Sequence, residues 1–150
     1  MSENTKFAML AILGAVLTTF AASSVSACGF PGCENAKTPG YWKNHPEAWP
    51  VDVVTIGGVP YTKEAAIEII MTSGSGDKTY TMFRALVAAM LNLENGCDDC
   101  IEDVVEDADE WMTDNPLGSD VKGSSEAWQD GGEMLYTWLD LYNNGEACPT

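Results

Sequence analysis

The chain reads as a mostly α-helical, single-domain bundle of about four helices, with one short β-hairpin, an aromatic N-terminal loop and disulfide staples. Three observations predict this. Apolar residues recur at helical spacing in separate stretches near 63–71, 79–94, 99–113 and 133–142. A β-branched run around a two-glycine turn occurs once, at 52–62. Cysteines at 28, 33, 97, 100 and 148 follow an N-terminal apolar run of secretory-signal length.

That run spans Phe7 to Ala22, with Lys6 before it and small residues after it, so residues 1–27 are expected to be a signal peptide. It falls short of the roughly 20 apolar residues a membrane-crossing helix needs. It ends Val25-Ser26-Ala27-Cys28, which suits cleavage after small residues and also resembles a bacterial lipobox. Five cysteines are an odd number for an exported chain. Lipid on Cys28 leaves Cys33, Cys97, Cys100 and Cys148 to pair, so the expectation is a lipoprotein tethered to a membrane without spanning it. Plain secretion is the alternative. Residues 28–37 then form a short tether, and 38–150 the extracellular domain.

The aromatic stretch runs from Thr38 to Pro50 and holds Tyr41, Trp42, Trp49 and the only histidine, His45. Pro39, Pro46 and Pro50 push Thr38, His45 and Trp49 out of continuous helix, and Pro39-Gly40 signals a turn. A stiff loop with its rings in the core is the expected result. In the functional alternative Tyr41, Trp42, Lys43, His45 and Trp49 line a recognition surface whose rings stack on a sugar or a peptide. A lone histidine makes no zinc site without cysteine or carboxylate help.

Gly40-Tyr41-Trp42-Lys43-Asn44-His45-Pro46 followed by Trp49-Pro50 resembles an uncharacterised module of secreted and cell-surface bacterial proteins, built around a Gly-Tyr-Trp-Lys-Asn/Thr-His-Pro motif. The similarity continues through Thr55 to Gly58, Tyr61-Thr62, the Ala/Leu-rich stretch from Leu86 to Leu93, Gly123-Ser124-Ser125, Ala127-Trp128 and Leu141 to Gly145. It implies an extracellular module and assigns no activity.

Further along, Val53-Val54-Thr55-Ile56, Gly57-Gly58 and Val59-Pro60-Tyr61 read as a hairpin, with Pro60 restricting its strand to an edge. Thr62 is placed to cap a helix from Lys63 to about Met71. Ser73 to Asp77 reads as a flexible surface loop; it has neither phosphate-loop nor nucleophile-elbow spacing. Met82, Phe83, Leu86, Val87, Met90 and Leu91 mark Thr79 to Glu94 as the central core helix, stopped by Asn95-Gly96.

Cys97-Asp98-Asp99-Cys100 suits half a zinc site, a redox dithiol or a disulfide. In an exported chain the disulfide is expected, with Cys97 joined to Cys100 and Cys33 to Cys148. The helix from about Asp99 to Thr113 has one apolar stripe and one acidic stripe. On the acidic side Glu102/Glu106 and Asp103/Asp107 repel at i,i+4 spacing, which marks these four as weak calcium candidates without the loop motif of a tight site. Trp128, in an expected polar loop from Val121 to Gly132, suits either a binding ring or a hydrophobic latch. The last helix runs from about Glu133 to Tyr142.

With 23 acidic against 7 basic residues the net charge is −16, which repels phosphate backbones and excludes nucleic acid as a partner. No carboxylate spacing singles out a catalytic pair, and His45 has no marked nucleophile. The expected function is a non-catalytic binding or structural module that meets a cell-envelope or extracellular-matrix component. The alternatives are a carbohydrate or small-ligand binder using exposed Tyr/Trp rings, and an acidic calcium-binding surface protein.

Overall fold

A computed structural model describes residues 33–149; the expected signal peptide and Cys28 lie outside the described residues. The elements in chain order are α1 (Pro39–Asn44), a 3₁₀ turn (Pro46–Ala48), β1 (Val53–Ile56), β2 (Val59–Thr62), α2 (Lys63–Met71) and α3 (Lys78–Glu94). A 3₁₀ turn (Asp99–Ile101) then leads into α4 (Glu102–Asp114), and a π-helical turn (Trp128–Gly132) into α5 (Glu133–Asn143). This is the mostly helical domain that the periodicities predict, with a two-stranded antiparallel hairpin and two disulfides.

α3 is the axis of the bundle. It packs against α1, α2, α4, α5 and β1, so burial extends around most of its circumference. Met82, Phe83, Ala85, Leu86, Val87, Ala88, Ala89 and Leu91 are all buried. The alanines let neighbouring backbones close in, and the larger side chains fill the space between them.

The aromatic stretch contains more regular structure than a loop. Pro39 occupies the first turn of α1, where its missing N–H costs nothing, and Thr38 accepts a hydrogen bond from Tyr41 N at its hydroxyl. The prolines do keep Thr38 (ψ 162°), His45 (ψ 64°) and Trp49 (ψ 125°) out of helical geometry.

The hairpin has the register Val53 with Thr62, Val54 with Tyr61, Thr55 with Pro60 and Ile56 with Val59. Gly57 and Gly58 turn it at φ +57° and +76°, which glycine adopts without strain. Val54 and Ile56 face the core, and Val53 and Thr55 are exposed. Asp109 accepts from Gly57 N at 2.7 Å, docking the turn on α4.

Two stretches expected to be plain loops are built into the structure. Asp77 is buried before α3, with Thr79 N at 2.9 Å and Thr79 Oγ1 at 2.8 Å from one carboxylate oxygen and Asp120 N at 3.0 Å from the other. Lys78 N also donates to Val121 O at 2.8 Å, so the stretch ending at Asp77 is tied to the segment after α4. Within Val121 to Gly132, the last five residues are the π-helical turn, and Trp128 is 3% exposed.

The expected disulfide pairing is overturned. Cys33 bonds Cys97 and Cys100 bonds Cys148, with Cα separations of 5.5 and 5.8 Å. The cause is tertiary. Asn92, near the end of α3, receives Lys37 N at its Oδ1 (2.8 Å) and donates its Nδ2 to Lys37 O (2.9 Å), which carries the N-terminal segment to Cys97. The Tyr142 hydroxyl donates to Asp98 O at 2.9 Å, which sets the end of α5 against Cys100. Among the described residues no helix is long and apolar enough to cross a membrane. The two disulfides are consistent with an oxidising, extracytoplasmic compartment.

Candidate functional site

α1 and the 3₁₀ turn after it gather most of the sequence-predicted residues, but their rings point inward. Trp42 is 1% exposed and Trp49 is 8% exposed. Trp49 Nε1 donates to Trp42 O at 2.8 Å, which folds the turn back on the helix. Trp42 Nε1 has no acceptor among the described residues. A ring that stacks on a sugar needs an open face, and these two have none.

What remains accessible is Tyr41, half-buried, with Lys43 and His45 beside it in sequence at similar exposure. The Tyr41 ring lies parallel to His45 at 4.1 Å between centroids and edge-on to Trp42 at 5.3 Å. Lys37 Nζ stands 5.3 Å from its centroid. His45 Nδ1 donates to Tyr41 O at 2.9 Å, and since a carbonyl only accepts, the ring carries a proton at Nδ1. The imidazole is therefore committed to its own helix end, with no nucleophile or carboxylate bonded to it in the described residues.

Trp128 belongs to a different cluster. It meets Trp111 edge-on at 6.0 Å and Tyr136 at 5.9 Å, with Lys78 Nζ 5.0 Å above its ring. Trp111 Nε1 donates to Ala127 O at 2.9 Å, closing this latch from the α4 side. Gly132 is required there, because a Cβ would come within 2.9 Å of the Trp128 ring and 3.0 Å of Trp111. Of the two readings of Trp128, the geometry is that of the latch.

The calcium candidates Glu102, Asp103, Glu106 and Asp107 are all exposed along α4. The ion pairs among the described residues are Lys63 with Asp52 and Lys122 with Asp120, so none of the four is neutralised by a lysine or arginine. Asp98, Cys100 and Cys148 bring donor atoms within 4.8 Å of one another. Both sulfurs there are joined in a disulfide and offer no thiolate to a metal.

The polar feature that sequence reasoning missed is the buried pair Asn92 and Asn143. Asn92 Nδ2 donates to Asn143 Oδ1 at 2.9 Å, and Asn143 Nδ2 donates to Ala85 O at 2.9 Å. The only hint was Asn92 inside the apolar pattern of the central helix; Asn143 falls just past the expected end of the last one. The pair ties α3, α5 and the N-terminal segment together, and this role is structural.

No known protein family, curated protein or solved structure matches the chain. The resemblance of the aromatic stretch to a bacterial surface module therefore rests on its motifs alone.

Proposed function

We propose that this chain is an exported, non-catalytic surface module, lipid-anchored at Cys28. On this reading its domain offers a rigid surface to a component of the cell envelope or extracellular matrix. The observation that carries the reading is the pair of disulfides at one pole. Cys33–Cys97 and Cys100–Cys148 fasten both chain ends beside the C-terminal end of α3. This supports a tether that enters at the stapled pole and a bundle that projects away along α3. The 17 residues of that helix span about 25 Å.

The cysteine count agrees. Four of the five cysteines are used in the two bonds, and Cys28 is left over from both. Acylation accounts for it. The burial of Trp42, Trp49 and Trp128 weighs against the sugar-stacking alternative.

Intact mass of the protein from its native host, before and after reduction and thiol alkylation, tests the proposal. The expected result is an acylated amino-terminal Cys28 and four cysteines that alkylate only after reduction. A lipid-free chain with a reactive Cys28 thiol would remove the tether. Alkylation of Cys97 and Cys100 without reduction would remove the staple.

A further inference from the structure

A two-stranded sheet has two edges, and in this hairpin they differ. Lys63 N donates to Asp52 O at 2.8 Å, so the pair just beyond the strands is a hydrogen-bonded one. Alternation along an antiparallel ladder then makes Val54 with Tyr61 and Ile56 with Val59 bonded pairs. Val53 with Thr62 and Thr55 with Pro60 are non-bonded pairs, so their backbone groups point away from the partner strand. On β2 the outward donor at position 60 does not exist, because proline has no N–H. On β1 the outward N–H and C=O groups of Val53 and Thr55 are intact, and none has a partner among the described residues.

A groove of about 220 Å³ runs along that intact edge. One wall is Val53, Val54 and Thr55; the other is Met90, Leu91 and Glu94 of α3. Val54 faces the core while Val53 and Thr55 face outward, so a groove touching all three lies at the edge of the strand. Free edges are normally blunted by a lysine, a proline or a bulge. Val53–Ile56 carries none of these, and Val53 is 51% exposed.

We infer that the β1 edge is a docking site for an extended, basic peptide segment of a partner protein, which adds as a third strand over the floor formed by the partly exposed Met90. Main-chain hydrogen bonds to Val53 and Thr55 hold it, and alternate side chains face the apolar floor. The groove is smaller than the roughly 300–1,000 Å³ of small-molecule sites, which favours main-chain recognition over an engulfed ligand. Charge selects the occupant. Glu94 lines the groove with no lysine or arginine paired to it among the described residues. The chain as a whole carries −16, so a second copy is repelled and a basic segment is drawn in. The inference rests on the reading of the domain as a binding module, and it is independent of the lipid at Cys28.

The probe is an end-blocked peptide, Lys-Val-Thr-Val-Thr-Lys, added to the isotope-labelled, disulfide-intact protein, with backbone hydrogen exchange followed by NMR. Exchange at Val53 and Thr55 should slow at least about tenfold under excess peptide, since their amides gain acceptors. A peptide with glutamates at both ends should bind roughly tenfold more weakly at low salt, a gap that narrows as salt is raised. Thr55→Pro should abolish the protection at Val53 and leave the amides of Val54 and Tyr61 protected within the hairpin. Glu94→Lys, at an exposed position, should erase the preference for the lysine-ended peptide, and this variant decides the matter if Thr55→Pro fails to fold. Unchanged exchange with either peptide would overturn the inference. So would equal binding by a backbone N-methylated peptide. Protection of the same amides that grows with protein concentration alone would overturn the basic partner in favour of a second copy. None of these outcomes bears on the mass of Cys28, so failure of the docking site and failure of the tether are separable.

Discussion

Asp77 shows how much one buried carboxylate can organise. One oxygen caps α3 through Thr79, and the other holds the Asp120 amide, so a single side chain joins a helix start to a distant loop. Burial pushes its carboxyl up, but hydrogen bonds from Thr79, Asp120 and Val121 outweigh that and hold it below the usual aspartate value. A carboxylate lowered in the folded state stabilises the fold above its unfolded pKa, and that contribution is lost as pH falls through the folded value. Asp77→Ala should cost about 2 kcal/mol in urea unfolding at neutral pH, from the lost cap and two orphaned donors. Asp77→Asn should flatten the acid limb of the stability curve. Tyr142 provides the alkaline counterpart. Burial first, then the charges of Asp98, Asp99 and Glu102, push its hydroxyl up to about 12 from 10.0. Stability held through the neutral phenol is complete below pH 10.0 and is lost as pH climbs toward about 12. Tyr142→Phe should cost about 1 kcal/mol at neutral pH by losing the bond to Asp98 O, and the gap to the parent should close over that alkaline window.

Single elements were legible in the sequence wherever a local pattern decides the outcome. α3 and α4 follow their apolar spacing because each presents a stripe long enough to be read without knowing its neighbours. The hairpin follows Gly57-Gly58 because only a two-residue turn with positive φ closes it. α1 was not legible, since a six-residue helix that starts on a proline has the same composition as a turn. Trp128 was not legible either, because its burial depends on Trp111 and Tyr136 arriving from other elements. The candidate site suffers from the same limit. The residues of the aromatic stretch could be named from the sequence, but not which of their rings the core would claim. At this scale Gly57→Ala is the informative variant. A Cβ there would lie 2.8 Å from Met112 O at a φ of +57°, so both the turn and its docking on α4 are disturbed. The expected cost is about 2–3 kcal/mol, with loss of amide protection in the hairpin before the helices, as hydrogen exchange would reveal.

For the whole molecule, the pairing of the cysteines decides how stability is distributed. A bond between Cys97 and Cys100 would have closed a trivial loop, whereas Cys33–Cys97 and Cys100–Cys148 span separations of 64 and 48 residues. On the chain-entropy account each is worth about 4 kcal/mol, against roughly 5–15 kcal/mol for a typical domain. Each bond also restrains a different end of the chain. Replacing Cys33 and Cys97 by alanine should therefore lower the melting temperature and release the segment around Lys37 first, because the Asn92 bonds and the Lys37 contact with the Tyr41 ring are then what remain to hold it. Replacing Cys100 and Cys148 should loosen the end of α5 and expose Tyr142, which is fully buried in the native fold. The two loops, 33–97 and 100–148, are disjoint, so on the chain-entropy account the two losses should add. Removal of both should therefore leave too little stability for a cooperative transition at physiological temperature. A double variant that melts within a few degrees of the parent would show that the α3 core, with its Asn92 and Asn143 bonds, suffices without covalent help.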